Sequence, residues 1–278
     1  MTQPSAEQWL EAFREAGDAV RFATAGLSGT ESGRRELSRG AGGDLTVEID
    51  RVAEEAAIGV LERLAEAGAA FTLVSEEIGR RRYGADFPVV FLDPIDGSLN
   101  AKQGIPVFST MLSVLDGPHV RDVLAGYVLN LVSGEEWTAT RGGGAHRDGK
   151  PLAPLAPRRE DTIELLGVES SPESLFAARP LIERAEKVRV IGSMALSIAH
   201  TAAGSFDAFC SPIEARLFDM TASCLVAAEA GAKFTNLAGA DIGDLEVGLE
   251  RRSSLLVGAT PEMHALALRL QREAARLG

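Results

Sequence analysis

The sequence predicts a mixed α/β (α+β) fold, on three observations. Short apolar, β-branched runs recur along the chain, bounded by Gly, Pro, Asp or Asn, as buried strands are. Segments with apolar residues every three or four positions lie between them, as amphipathic helices do. The mixture changes at Pro151–Arg159, which holds three prolines and two charges. Before that stretch, helices accompany antiparallel strands; after it, strand and helix alternate. The expected division is an N-terminal α+β half, residues 1–152, and a C-terminal α/β half, residues 153–278.

The elements follow in order. Ala6–Leu27 carries Trp9, Leu10, Phe13, Ala16 and Val20 at helical spacing. Ser28–Gly43, rich in Gly, Ser and charge, predicts a mobile loop. Asp44–Asp50 alternates, and Asp50 is placed to N-cap a helix over Arg51–Ala67. Phe71–Val74 reads as a strand ending in Ser75-Glu76-Glu77, and Gly79–Phe87 as a basic loop. Val89–Leu92 is a buried strand, and Pro94, lacking an N–H, should stop its ladder. Phe108–Leu115 and Val120–Leu131 read as an antiparallel pair around Asp116-Gly117, with a further strand over Glu136–Arg141. In the second half, strands are expected at Thr162–Val168, Val188–Ile191, Phe206–Cys210, Lys233–Thr235 and Ser254–Val257. Helices are expected at Pro172–Ala185, Met194–Ala203, Met220–Ala230 (closed by Gly231) and Pro261–Leu277.

Composition narrows the function. There are 28 basic and 40 acidic residues, so the net charge is −12. Such a field repels nucleic acid and anionic membranes, so neither is an expected partner. It does not exclude a small phosphate ester, because bound metal ions reverse the local sign. Two cysteines, Cys210 and Cys224, are too few for a disulfide framework, which fits a reducing cytoplasm. No apolar run of about 18 residues occurs.

Three acidic clusters share one context, the end of an apolar strand or the start of a helix: Glu76/Glu77, Asp93/Asp96 and Asp219. Such ends converge on ligand sites in sheet proteins. Taken singly, Asp219 also reads as an N-cap, and Glu76-Glu77 as a solvated turn. Asp93-Pro94-Ile95-Asp96-Gly97-Ser98 is more pointed: two carboxylates directly after a buried strand require counter-charge. Gly97 lets the backbone approach a ligand and Ser98 opens a helix. Hard oxygen ligands beside free backbone N–H groups suit a divalent metal and a phosphate. His119, His146, His200 and His264 show no metal-ligand spacing, so Mg²⁺ fits better than Zn²⁺.

Asp93-Pro94-Ile95-Asp96-Gly97-Ser98-Leu99-Asn100 resembles the central signature of the inositol monophosphatase family, metal-dependent and lithium-sensitive phosphomonoesterases. Ser75-Glu76-Glu77, Leu217-Phe218-Asp219-Met220-Thr221-Ala222 and Glu229-Ala230-Gly231 resemble the other family landmarks, in the right order. The resemblance implies a layered α-β-α-β-α sandwich of the inositol monophosphatase/fructose-1,6-bisphosphatase type, with the active site between the halves, in a homodimer. It implies two or three Mg²⁺ ions: one held by Glu76, Asp93 and the Ile95 carbonyl, one by Asp93, Asp96 and Asp219, and a weaker one leaning on Glu76. It implies that Ser98 and Glu76 activate a metal-bound water, with Asp50 hydrogen-bonded to Ser98 and Thr46 in the same motif. The Gly97 and Ser98 amides would hold the phosphate.

On the substrate side, Gly192-Ser193-Met194-Ala195 resembles the family loop that touches the alcohol, and reads equally as a plain helix start. Glu214 is a candidate for hydroxyls, or a solvated loop acid. Arg216 is a candidate for a second phosphate. Arg80-Arg81-Arg82 reads as a solvated loop. The expected activity is hydrolysis of inositol monophosphate or a related polyol or sugar phosphate. The alternatives are fructose-1,6-bisphosphatase or histidinol-phosphatase activity, or a non-enzymatic regulatory protein on the same fold.

Overall fold

The computed structural model describes residues 3–41, 45–156 and 161–275. Helix α1 (Ala6–Thr24) starts at Ser5, whose hydroxyl accepts from the Gln8 amide while the Gln8 side chain accepts from Ser5 N, a reciprocal capping box. It stops short of the predicted Leu27 because Ala25 turns extended and Gly26 takes a positive φ. Strands β1 (Glu36–Arg39) and β2 (Leu45–Val47) pair antiparallel inside the predicted loop. Gly43 and Asp44 lie outside the described residues. Helix α2 (Glu48–Glu66) begins before Asp50. Asp50 is therefore not the N-cap: from within the first turn its Oδ2 accepts from Val47 N at 3.3 Å.

Strand β3 (Phe71–Ser75) is flanked on both sides by one long strand, β4 (Gly79–Asp96). The first arm folds back, with Gly79 opposite Ser75 and Tyr83 opposite Phe71; the second sets Val89 to Leu92 against Thr72 to Ser75 in parallel register. The predicted loop Gly79–Phe87 is thus a strand. Tyr83 stacks near Phe71 at 5.0 Å while Arg80, Arg81 and Arg82 stay exposed, a charged edge of the kind that blunts a sheet. Pro94 does not end the ladder either. Asp93 pairs Met111 and Asp96 pairs Ser109, with Pro94 and Ile95 bulged out between them. The bulge is how a residue without an N–H is accommodated.

Helix α3 (Ser98–Gln103) follows, then β5 (Ser109–Leu115), β6 (Val123–Asn130), β7 (Glu136–Thr140), β8 (Gly144–Arg147) and β9 (Lys150–Pro151). The predicted start of β6 at Val120 is a single 3₁₀ turn, Val120–Asp122, because Asp122 accepts from His119 N. Strands β3 to β9 form one seven-stranded sheet in chain order.

The second sheet has five strands: β10 (Ile163–Val168), β11 (Ala185–Arg189), β12 (Ala208–Arg216), β13 (Lys233–Thr235) and β14 (Arg252–Gly258), in the order β11-β10-β12-β14-β13. Strand β10 runs parallel to β11 and β12, and β14 antiparallel to β12 and β13. The predicted helix over Pro172–Ala185 is split into α4 (Pro172–Ala177) and α5 (Arg179–Ile182), since Pro180 cannot continue the hydrogen-bond ladder. That moves β11 ahead of the predicted Val188–Ile191. Strand β12 runs on past Cys210, so Glu214 and Arg216 lie on a strand, not a loop. Helices α6 (Met194–Ala202), α7 (Thr221–Glu229) and α8 (Pro261–Ala275) complete the chain; Leu277 is outside the described residues, as are Pro157 to Arg159.

The layers are α-β-α-β-α. Helices α1 and α2 cover one face of the seven-stranded sheet, α6 and α7 lie between the sheets, and α5 and α8 pack beyond the second sheet. Apolar burial drives each layer contact. Trp9, Phe13, Phe71, Leu92 and Tyr127 fill the first core. Phe91, Trp137, Phe209, Phe218 and Val226 fill the middle one. Leu166, Cys210, Leu256 and Met263 fill the outer one. Among the described residues no helix is long and apolar enough to cross a membrane.

Candidate active site

The bulge at the end of β4 sets the site. It turns Asp93 and Asp96 into a cleft already faced by Glu76 from the end of β3, and by Asp219 from the 3₁₀ turn Phe218–Met220 ahead of α7. The cleft, a cavity of about 230 Å³, is also lined by Asp50, Glu77, Ile95, Gly97, Ser98 and Arg216. Positions as distant as Glu76, Asp93 and Asp219 are thus brought together. Asp93 is 3% exposed, Asp96 8% and Glu76 9%.

Buried carboxylates at close quarters repel one another. Burial, then the neighbouring Glu76, Asp219 and Asp96, hold the Asp93 carboxyl well above the usual range. Burial pushes Asp219 up to about 7 despite the opposing pull of Arg216. Arg216 is the cationic partner: its Nε donates to Asp219 Oδ2 at 3.0 Å and its terminal nitrogen to Glu76. The guanidinium also lies 5.2 Å from the centre of the Phe218 ring. Sequence reasoning offered Arg216 to a second phosphate; in the structure it is engaged by the acid cluster.

Asp96 has a different environment. Its Oδ1 accepts from Met194 N at 3.0 Å; its Oδ2 accepts from Ala195 N at 3.0 Å, Ser109 Oγ at 2.9 Å and Ser193 Oγ. The carboxylate thereby ties the end of β4 to the start of α6, where the helix dipole favours it. The loop Gly192-Ser193-Met194 is held against the first signature by this bond and by Asn100. Asn100 Nδ2 donates to Val107 O and Ile191 O, both at 2.7 Å. A Cβ on Gly97, where φ is +94°, would lie 2.9 Å from Gly192 O. Only glycine allows the two turns to meet that closely.

Ser98 Oγ donates to Ile95 O at 2.8 Å. The hydroxyl also faces Asp50 and favours its charged form, yet one proton serves one acceptor at a time, and here it is on Ile95. Thr46 donates to Glu77, not to Glu76 or Ser98. Gly192, Met194 and Glu214 line an adjoining cavity of about 360 Å³ that shares Asp96, Gly97, Arg216 and Asp219 with the acid cleft. His119 pairs with Asp122, His264 with Thr235, and His200 packs between Trp137 and Phe206; none lines the cleft.

Two structural residues escaped sequence reasoning. Glu54 accepts from Ser75 Oγ, Glu77 N and Ile78 N, and so shapes the turn that presents Glu76. Its signal was an acid inside the apolar stripe Ala53, Ala57, Ile58, Leu61. Asn100 was read only as part of a motif.

The donor set fits a hard divalent cation. Every side-chain donor is a carboxylate oxygen, and three buried carboxylate oxygens of the cleft, Asp50 Oδ1, Asp93 Oδ1 and Asp219 Oδ1, have no hydrogen-bond partner. Among the described residues no group of three acidic, His or Cys side chains is placed to hold a metal ion as it stands, with Arg216 bridging Glu76 and Asp219. The acids outnumber that one cation, which leaves charge for a metal to balance.

A five-layer sandwich with a carboxylate cleft at the bulged end of a signature strand defines a phosphatase of the inositol monophosphatase class. The chain belongs to the inositol monophosphatase family, whose model matches residues 5–276. It is 32% identical over 267 residues to a fructose-1,6-bisphosphatase/inositol-1-monophosphatase of Methanothermobacter thermautotrophicus, covering 92% of this chain and 94% of the relative. It is 30% identical over 244 residues to a bifunctional NADP phosphatase/NAD kinase of Methanococcus maripaludis, covering 80% of this chain and 42% of that protein. Among solved structures, an inositol monophosphatase-fructose 1,6-bisphosphatase superposes with a TM-score of 0.79 at 22% identity, over 94% of this chain and 99% of the other. Family members of this kind are generally metal-dependent.

Proposed function

We propose that this protein is a Mg²⁺-dependent phosphomonoesterase that hydrolyses inositol monophosphate or a related polyol or sugar phosphate. The observation that carries the reading is the pair of buried, unpartnered oxygens, Asp93 Oδ1 and Asp219 Oδ1, in a carboxylate-rich cleft beside the Gly97-Ser98 turn. Glu76, Asp93, the Ile95 carbonyl, Asp96 and Asp219 are the groups that would hold two or three ions. When bound, Mg²⁺ neutralises the phosphoryl charge and acidifies the attacking water.

The chain's own residues do the rest. The Gly97 and Ser98 amides receive the phosphate at the turn where Gly97 clears the backbone. The Ser98 hydroxyl, turned from Ile95, would donate its one proton to Asp50 and accept a hydrogen bond from the attacking water. Glu76 orients the water. Thr46 orients Glu77 at the cleft wall. Gly192, Met194 and Glu214 face the alcohol, and Ser193, buried with its hydroxyl on Asp96, anchors their loop and does not reach the substrate. Buried, unbridged Cys210 and Cys224 support a reducing, cytoplasmic setting, and a homodimer is carried over from the family resemblance.

The test is release of inorganic phosphate from a panel of sugar and polyol phosphates, with and without Mg²⁺. Metal-dependent turnover of inositol-1-phosphate is expected. No turnover on any ester would favour the non-enzymatic, regulatory alternative. The name of the Methanothermobacter relative supports fructose-1,6-bisphosphate as the second ester to try.

A further inference from the structure

A separate cavity of about 450 Å³ opens where the first arm of β4 meets the segment leading into β14, a volume in the range of small-molecule pockets. None of its lining residues borders the acid cleft or the cavity adjoining it. Its floor is apolar and buried: Val74 of β3 with Val89 and Phe91 of β4. Val247 and Leu249, half-buried, continue that surface, and Phe87 leaves its ring 43% exposed at the mouth. The covering segment is pinned at both ends, since Val247 N donates to Pro118 O and Leu217 N to Arg251 O, each at 2.8 Å. The pocket is therefore built into the fold.

Four charged residues line it. Arg251 and Glu246 lie 3.8 Å apart and offset each other. Arg80 and Glu250 are exposed, and neither forms an ion pair or a side-chain hydrogen bond among the described residues. One uncompensated cation and one uncompensated anion beside an apolar surface are complementary to a zwitterion with an apolar body. A guanidinium fork matches a carboxylate, and a carboxylate accepts from an ammonium. A simple anion would meet Glu250 unfavourably, and a simple cation Arg80.

The floor is also part of the scaffold of the acid cluster. Alternation along β4 puts Val89, Phe91 and Asp93 on one face, and Val74 lies two residues before Glu76. Phe91 stacks on Phe218, next to Asp219, with ring centres 6.3 Å apart. An occupant of this floor thus bears on the elements that present all three acids. We infer that the cavity binds an α-amino acid with a large apolar side chain, its carboxylate on Arg80 and its ammonium on Glu250, and that occupancy changes the affinity of the acid cleft for Mg²⁺. The binding site stands by itself; the coupling rests on the metal-dependent reading above.

The test titrates L-phenylalanine, phenylpropionate and phenylethylamine calorimetrically into the wild-type protein, Arg80→Gln and Glu250→Gln. L-phenylalanine, which satisfies both charges, should bind wild type best. Arg80→Gln should weaken L-phenylalanine about fivefold and phenylpropionate with it, while sparing phenylethylamine. Glu250→Gln should weaken L-phenylalanine and phenylethylamine and spare phenylpropionate. No binding of L-phenylalanine, or binding that neither substitution weakens, overturns the site. Mg²⁺ is then titrated with and without saturating L-phenylalanine. A change of about fivefold in Mg²⁺ affinity, matched by the same factor in phenylalanine affinity when Mg²⁺ is present, is the expected coupling. Unchanged Mg²⁺ affinity overturns the coupling. A wild-type protein that binds no Mg²⁺ overturns the metal-dependent reading and the coupling together, while the phenylalanine titration still decides the site.

Discussion

Arg216 Nε lies 3.0 Å from Asp219 Oδ2, three residues apart across the turn that leads into α7. The same guanidinium reaches Glu76, 140 positions earlier in the chain. One arginine thus joins the two acidic clusters that flank the signature strand. Its side chain is 11% exposed, so this is a buried network and not a surface pair.

Removing Arg216 should destabilise the metal-free protein. Arg216→Gln leaves Glu76, Asp93 and Asp219 facing one another with their cation gone. Breaking a buried ion pair from one side costs about 3 kcal/mol. Thermal melts should show that loss in the presence of a chelator and a partial recovery on adding Mg²⁺. A variant as stable as wild type without divalent cation would mean that the cluster is not charged.

Asp93→Asn and Asp219→Asn should each lower phosphate release by on the order of a hundredfold or more, since each removes an oxygen aimed at transition-state charge balance. Folding should survive. Asp93 is a repelled buried charge, so its neutral replacement should melt no lower than wild type without metal. Circular dichroism and a fixed-time phosphate assay test both halves; retained activity in both variants would mean that the ligand set is wrong.

Asn100→Ala should separate the two turns that meet at Gly97 and Gly192. It strands the Val107 and Ile191 carbonyls, each now bonded at 2.7 Å. Leaving these half-buried acceptors unpaired costs about 1 kcal/mol. Turnover should fall with it, because the Gly192 loop and the Asp96 anchor lose their alignment. Full activity at ordinary temperature would show that Asp96 alone holds the loop.

Asp50 makes stability pH-dependent. Burial pushes its carboxyl from 3.8 up to about 6. The folded chain therefore holds that proton more tightly than the unfolded one. The stability it contributes is complete below about 3.8 and lost as pH rises through about 6. Asp50→Asn should remove that slope, gaining on wild type by up to about 3 kcal/mol at neutral pH in the metal-free protein. Denaturant titrations at about pH 4, 5.5 and 7 decide it; parallel curves for the two proteins would sink the burial account.

Much of the site was legible in the order of residues because its acids sit at the ends of apolar runs. Val89–Leu92 followed by Asp93-Pro94 places a carboxylate at a strand end whatever the strand pairs with. What a run cannot disclose is the direction in which its end is bent. Pro94 was expected to stop the ladder; the bulge between Asp93 and Asp96 shows a ladder that skips and resumes. Asp50 was assigned to a cap by its position before a periodic segment, and the helix began two residues earlier. The basic Gly79–Phe87 carried no apolar alternation, so its strand came from pairing with β3.

The sequence by itself determined most of the elements, their order and the acids that line the cleft, because hydrophobic period and turn chemistry are local properties. The tertiary structure decided which charges balance which. Arg216 became the partner of Glu76 and Asp219, Thr46 the partner of Glu77, and Asp96 the anchor of α6. Those pairings join residues up to 140 positions apart. They depend on how two sheets and the helices between them pack, which no local pattern encodes.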